Sequence, residues 1–107
     1  MNPFKVGNLE KMLADQLQKM QRMQQQLSEE RLQASAGGGM VEATASGLGD
    51  LIEITIKPEA VDPNDVEMLQ DLVLAAVREV LTKARELQQQ KTAELTGGLQ
   101  IPGLFGG

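Results

Sequence analysis

The sequence predicts an α+β fold: a helix, a three-stranded antiparallel meander and a long second helix. Three observations predict it. Two glycine- and proline-free runs carry apolar residues every three or four positions, one near each end of the chain. Between them lie three short stretches in which apolar and polar residues alternate. Glycine clusters separate those stretches where hairpin turns would fall. A period near 3.6 is the signature of an amphipathic helix, and a period of two that of a half-buried strand.

The first helix follows Asn8, a residue type that caps helices, and reads LEKMLADQLQKMQRMQQQLSEERLQ. Leu13, Leu17, Met20 and Leu27 form a narrow seam of coiled-coil type, with Gln24 at the interrupted position. About 25 residues of helix span ~37 Å. Leu32, Ala34 and Ala36 alternate with Gln33 and Ser35; Val41, Ala43 and Ala45 with Glu42, Thr44 and Ser46; Ile52, Ile54 and Ile56 with Glu53, Thr55 and Lys57. One apolar and one polar face suit an antiparallel sheet covered by helices on one side. Gly38-Gly39 fits a two-residue hairpin turn with positive φ at both positions, and Gly47–Asp50 closes the second hairpin. Lys57-Pro58 ends the third strand. Asp62 as N-cap, Pro63 at the first helical position and Asp65 in the first turn start the second helix. Leu69, Leu72, Val73, Ala76, Val80, Ala84 and Leu87 line one of its faces. Val66, Val77 and Leu81 widen the apolar surface, as in a helix that packs on two partners. Gly97-Gly98 ends it, and residues 99–107 form an apolar Gly/Pro-containing tail, either flexible or docked on a hydrophobic surface.

Both helices are longer than six-residue strands of ~20 Å. The first enters the sheet through its C-terminal end and the second leaves through its N-terminal end. Their free ends therefore project together as an antiparallel arm, with the Met/Gln seam on Ala84, Leu87 and Leu95. This divides a single domain, residues 1–98, into arms at 9–30 and 81–96 and a sheet body at 31–80. The core is thin for so much apolar helix, so a homodimer is expected to cover the remainder and to present two arms.

Composition narrows the chemistry. The chain of 107 residues has no Cys, His, Trp or Tyr. That excludes disulfides and the usual zinc sites, and removes the commonest general base near neutral pH. No signal-like run opens the chain, and the longest apolar stretch, Leu72–Val77, is far short of a membrane span. A cytoplasmic protein without membrane contact, cofactor, metal or small-molecule substrate is expected.

The triple glycine, Gly37–Gly39, invites comparison with phosphate loops. A strand follows it, and no Lys-Ser/Thr does, so it reads as a turn. The carboxylates of Asp62–Glu67 lack the calcium-loop pattern and read as a helix cap. Glu42 and Glu53 have no surrounding site chemistry, and no catalytic constellation emerges; the chain is not expected to be an enzyme.

The net charge of −5 is unevenly spread. Residues 1–28 carry Lys5, Lys11, Lys19 and Arg22 against Glu10 and Asp15, a net +2. Residues 81–107 carry Lys83, Arg85 and Lys91 against Glu86 and Glu94, a net +1. Residues 29–80 carry Arg31, Lys57 and Arg78 against eleven acidic residues, a net −8. Such charges ordinarily form a solvated face. With a Debye length of ~8 Å in physiological salt, however, a phosphate at an arm tip hardly feels the body.

The run SAGGGMVEATASGLGDLIEITIKPEAVDPNDVEMLQDLVLAAVREVLTKA, with Gly37–Val41, the junction at Pro58, Asp62-Pro63 and Asp65–Leu69, resembles the core of the YbaB/EbfC family of bacterial nucleoid-associated proteins. LTGGLQIPGLF, Leu95 to Phe105, is similar to that family as well. The resemblance implies a homodimer that binds double-stranded DNA in the nucleoid through protruding helices. Carried over by location, the contact residues are Lys5, Lys11, Lys19, Arg22, Lys83, Arg85 and Lys91. With few aromatic residues for base stacking, contact is expected with duplex backbone phosphates, in an architectural or regulatory role. The alternative is a protein-interaction adaptor that uses the Gln/Met-rich helix and the apolar tail without touching DNA.

Overall fold

The computed structural model describes residues 6–96. Helix α1 (Val6–Glu29) leads into strands β1 (Arg31–Ala36), β2 (Val41–Ser46) and β3 (Leu51–Ile56). A single 3-10 turn at Pro58–Ala60 precedes helix α2 (Val66–Leu95). The strands form one antiparallel sheet in the order β1-β2-β3, as the alternation predicts. The radius of gyration is 20.7 Å and the longest extent 79 Å. A compact chain of 100 residues would have a radius of about 13 Å, so the elongation is real and comes from the helices.

The core lies where α2 crosses β1 and β2. Ala34, Val41, Ala43 and Ala45 face Ala76 and Val80, all at most 6% exposed. Val41 and Val80 are the largest side chains fully buried there. Small residues on both surfaces let the helix lie close to the sheet, with Leu32, Leu69, Leu72 and Val73 closing the sides. Such a layer is well packed but small, so the fold depends on contacts at its edges.

Several local expectations are corrected. α1 begins at Val6, so Asn8 lies inside the helix and does not cap it. The first hairpin uses a four-residue turn, because Ala36 pairs with Val41. Gly37, Gly38 and Gly39 all have positive φ, at 65°, 66° and 91°. The N-cap of α2 is Asp65, whose carboxylate accepts the Met68 N–H at 3.2 Å. Asp62 instead accepts the Asn64 N–H at 2.9 Å and shapes the turn before the helix.

The largest correction concerns β3. Its clean Ile alternation predicts a half-buried strand, yet Leu51, Ile52, Ile54 and Ile56 are 37–48% exposed. Ile54 and Ile56 pair with Ala43 and Val41 and so share their face of the sheet. α2 covers that face over β1 and β2, and β3 extends past its shadow. Between Thr44 and Ala45 the register slips, leaving Ile52 without a partner of its own in β2.

Candidate nucleic-acid interface

The base of the arm is fixed at Gly47. Its N–H donates to the Glu30 carbonyl at 3.3 Å, and its carbonyl accepts the Gln88 side-chain amide at 2.9 Å. A β-carbon on Gly47 would stand 2.6 Å from the Leu27 carbonyl oxygen. Only glycine lets the end of α1 settle this closely on the second hairpin. Leu27, 2% exposed, plugs the junction. Arg31 ties the helix end further by donating from Nη1 to the carbonyls of Ser28 and Glu30.

From this base α1 and α2 run outward side by side, but only briefly. Lys19, Arg22, Met23 and Gln26 of α1 and Lys91, Glu94 and Leu95 of α2 line one open cleft. α2 ends at Leu95, opposite the middle of α1. Among the described residues, the rest of α1 has no helical neighbour for ~20 Å at 1.5 Å per residue. Among the described residues, the expected seam is therefore covered at its C-terminal end only. Leu27 is buried and Met23 half-buried, whereas Leu13, Leu17 and Met20 are 57%, 58% and 42% exposed. Ala84 is buried as well.

The structure separates the seven cations nominated from sequence. Lys19, Arg22 and Lys91 converge on the cleft from two helices. Lys91 Nζ, half-buried, also lies 3.9 Å from Oε2 of the exposed Glu94, a long contact that constrains it weakly. Lys11 is exposed on the solitary part of α1. Lys83 folds back onto the sheet and donates to the Gln33 carbonyl at 2.8 Å. Arg85 donates to Thr82 Oγ1 at 3.0 Å and, two residues on from Lys83, lies on the opposite side of the helix. Lys5 lies outside the described residues. Gln26, absent from the nominated set, lines the same cleft. Its signal is the spacing of Lys19, Arg22 and Gln26, three and then four residues apart, which places them on one helix face.

A second groove begins where the first ends. Gln26, Glu29, Glu30, Arg31 and Lys91 line it. Lys91 thus stands at the boundary between the basic arm and the acidic body. Among the described residues no helix is long and apolar enough to cross a membrane, and no group of acidic side chains could hold a metal ion.

Helix, three-stranded meander and long helix, with an arm carrying cations from both helices, define an α+β protein built to present a helical projection. The YbaB/EbfC DNA-binding family matches residues 1–99, and the chain belongs to that family. The family is one of DNA-binding proteins, not of enzymes. A nucleoid-associated protein from Pelotomaculum thermopropionicum is 50% identical over 103 residues, covering 92% of this chain and 97% of that protein. Another, from Acetivibrio thermocellus, is 54% identical over 101 residues, covering 94% of this chain and 89% of that protein. The crystal structure of an uncharacterised protein from Helicobacter pylori matches the fold with a TM-score of 0.74 at 20% identity, covering 89% of this chain and 97% of the other.

Proposed function

We propose that the protein is a homodimeric, nucleoid-associated DNA-binding protein that holds duplex DNA through its backbone phosphates, in the cytoplasm, with an architectural or regulatory role. The observation that carries the phosphate reading is the convergence of Lys19, Arg22 and Lys91 on one open cleft between the two helices, where Glu94 is the one acidic residue in the lining. Phosphate contact needs cations held at a common surface; base readout needs side chains inserted in a groove. The cleft offers the first. Lys11 extends the same arm outward, while Lys83, engaged with the sheet, and Arg85, on another side of α2, contribute less.

Family membership favours this reading over a protein adaptor. Homodimerisation is supported by β3, whose apolar side chains are exposed and whose outer edge pairs with no strand among the described residues. Exposed apolar edge strands are ready templates for pairing with another chain.

The test is duplex binding across a salt series. Affinity should fall linearly with salt on logarithmic axes, and each lost phosphate contact should reduce the slope by about one. Replacing Lys19, Arg22 and Lys91 together by Gln should weaken binding to unrelated duplexes alike and flatten the slope. Binding that ignores salt, or that survives the triple substitution, would sink the phosphate mechanism.

A further inference from the structure

The two edges of the sheet carry different chemistry. Antiparallel pairing turns the backbone groups of successive residues alternately toward the neighbouring strand and away from it. The Glu30 carbonyl accepts the Gly47 N–H, and the register continues unbroken to Ala36 opposite Val41. The backbone groups of Leu32 and Ala34 therefore face β2, and those of Gln33 and Ser35 face outward. On the other side, the Lys57 N–H donates to the Met40 carbonyl at 2.9 Å. Ile56 lies opposite Val41 and Ile54 opposite Ala43, so the backbone groups of both isoleucines face outward along β3. Outward rows of this kind are templates for a further strand. On β1 a cation already occupies the row: Lys83 Nζ, reaching over from α2, donates to the Gln33 carbonyl at 2.8 Å. β3 presents the exposed apolar side chains of Leu51, Ile52, Ile54 and Ile56 instead.

We infer that Lys83 blocks the β1 edge against β3 of a second copy of this chain, and so limits assembly to a closed pair. The inference rests on the homodimer proposed through β3. Two copies that meet β3 to β3 use the same surface on both sides, and the contact closes. A β3 edge laid on the β1 edge of the next copy uses different surfaces, leaves one edge free at each end, and adds copies without limit. The outward rows at Gln33 and at Ile54 and Ile56 would allow that second mode. Lys83 opposes it in two ways. An incoming strand needs the Gln33 carbonyl for its own N–H, and must first displace a charge-assisted bond, roughly twice as strong as a neutral one. The displaced ammonium would then stand against apolar Ile54 or Ile56 of the added strand, without the carbonyl that held it. Lysine on an edge strand is a general means of preventing such addition. The same bond accounts for why Lys83, a cation on the arm side of α2, turns toward the sheet.

The test needs no DNA. Lys83→Met in the full chain keeps the aliphatic stem and removes the ammonium. In light scattering over a concentration series, its mass should rise above that of two chains and keep rising with concentration. Lys83→Arg, which restores a cationic donor, should keep the wild-type mass. So should Arg78→Met, which makes the same exchange of a cation for an apolar side chain elsewhere on α2. Adding Ile54→Glu and Ile56→Glu to K83M should abolish the growth, because β3 is the strand that would be added. Circular dichroism confirms folding; if K83M fails to fold, Lys83→Gln, shorter and uncharged, is read in its place. A folded variant without the ammonium that keeps the wild-type mass throughout overturns the inference. Equal growth in R78M or in K83R overturns it too, as does growth that survives the two Glu substitutions. A wild-type chain that is monomeric while K83M grows removes the homodimer and leaves the block at β1 standing, so the two failures are told apart.

Discussion

Gly47 shows how one residue sets the direction of a helix. Its φ is not in the left-handed region that explains Gly37–Gly39; what it lacks is room. A methyl group there meets a backbone oxygen at 2.6 Å, and a helix terminus cannot yield as a side-chain tip can. Gly47→Ala should therefore push the end of α1 off the hairpin and strain the bonds to Glu30 and Gln88. Overpacking of this kind costs about 1–3 kcal/mol, which denaturant titration would read as a lower midpoint. Midpoint and hydrogen exchange at Leu27–Glu30 both unchanged would refute the contact. Asp65→Ala tests the corrected cap. Loss of the bond to the Met68 N–H should cost about 1 kcal/mol, whereas Asp62→Ala, removing only a turn contact, should cost less. The reverse order would restore the sequence assignment of Asp62 as the cap. Both features show a limit of reading residues in line. Asp62 and Asp65 are equally plausible caps by type, and turn geometry chooses between them. Nothing local marks Gly47, because the atom that demands glycine comes from Leu27, twenty positions away.

At the level of elements, β3 carries the sharpest consequence. Ile54 and Ile56 lie on the same face as the buried Val41 and Ala43, but beyond the reach of α2. If a second copy covers them, Ile54→Glu with Ile56→Glu should leave the α2–β1–β2 layer folded and yield monomers. Light scattering alongside circular dichroism separates these effects. A variant that remains dimeric places the interface elsewhere, and a wild-type chain that is monomeric at micromolar concentration removes the shared-core argument. Element order and strand pairing were legible in the sequence because both follow from local periodicity and turn residues. How far each apolar face is covered was not. The Ile52–Ile54–Ile56 alternation is stronger than that of Ala34–Ala36, yet it is Ala34 that is buried. Alternation reports that a face exists; which strand lies under the helix depends on where α2 crosses the sheet. The arm shows the same division. Lys19, Arg22 and Gln26 share a readable spacing, whereas their meeting with Lys91, 65 to 72 positions further along the chain, depends on the register of the two helices.

Across the whole molecule, elongation decides whether an acidic chain can approach DNA. Along α2, Asp71 and Glu67 lie ~30 and ~36 Å from Lys91 at 1.5 Å per residue. Two unit charges 30 Å apart in water interact by only ~0.14 kcal/mol before screening, and a Debye length of ~8 Å reduces that to almost nothing. On the proposed reading the cleft cations, by contrast, act at contact distance. Changing Glu67 to Gln and Asp71 to Asn removes two negative charges, and replacing Lys19 and Lys91 by Gln removes two positive ones. On a scale of net charge the first pair should help binding about as much as the second harms it. The geometry predicts otherwise. In physiological salt the body pair should alter duplex affinity by less than about twofold, whereas the arm pair should lower it by roughly tenfold or more, in line with loss of charge-assisted contacts. Equilibrium binding of the four single and two double variants to one duplex would measure this directly. A body pair that strengthens binding as much as the arm pair weakens it would mean that the duplex lies along the sheet rather than at the arm, and the cleft at Lys19, Arg22 and Lys91 would lose its assigned role.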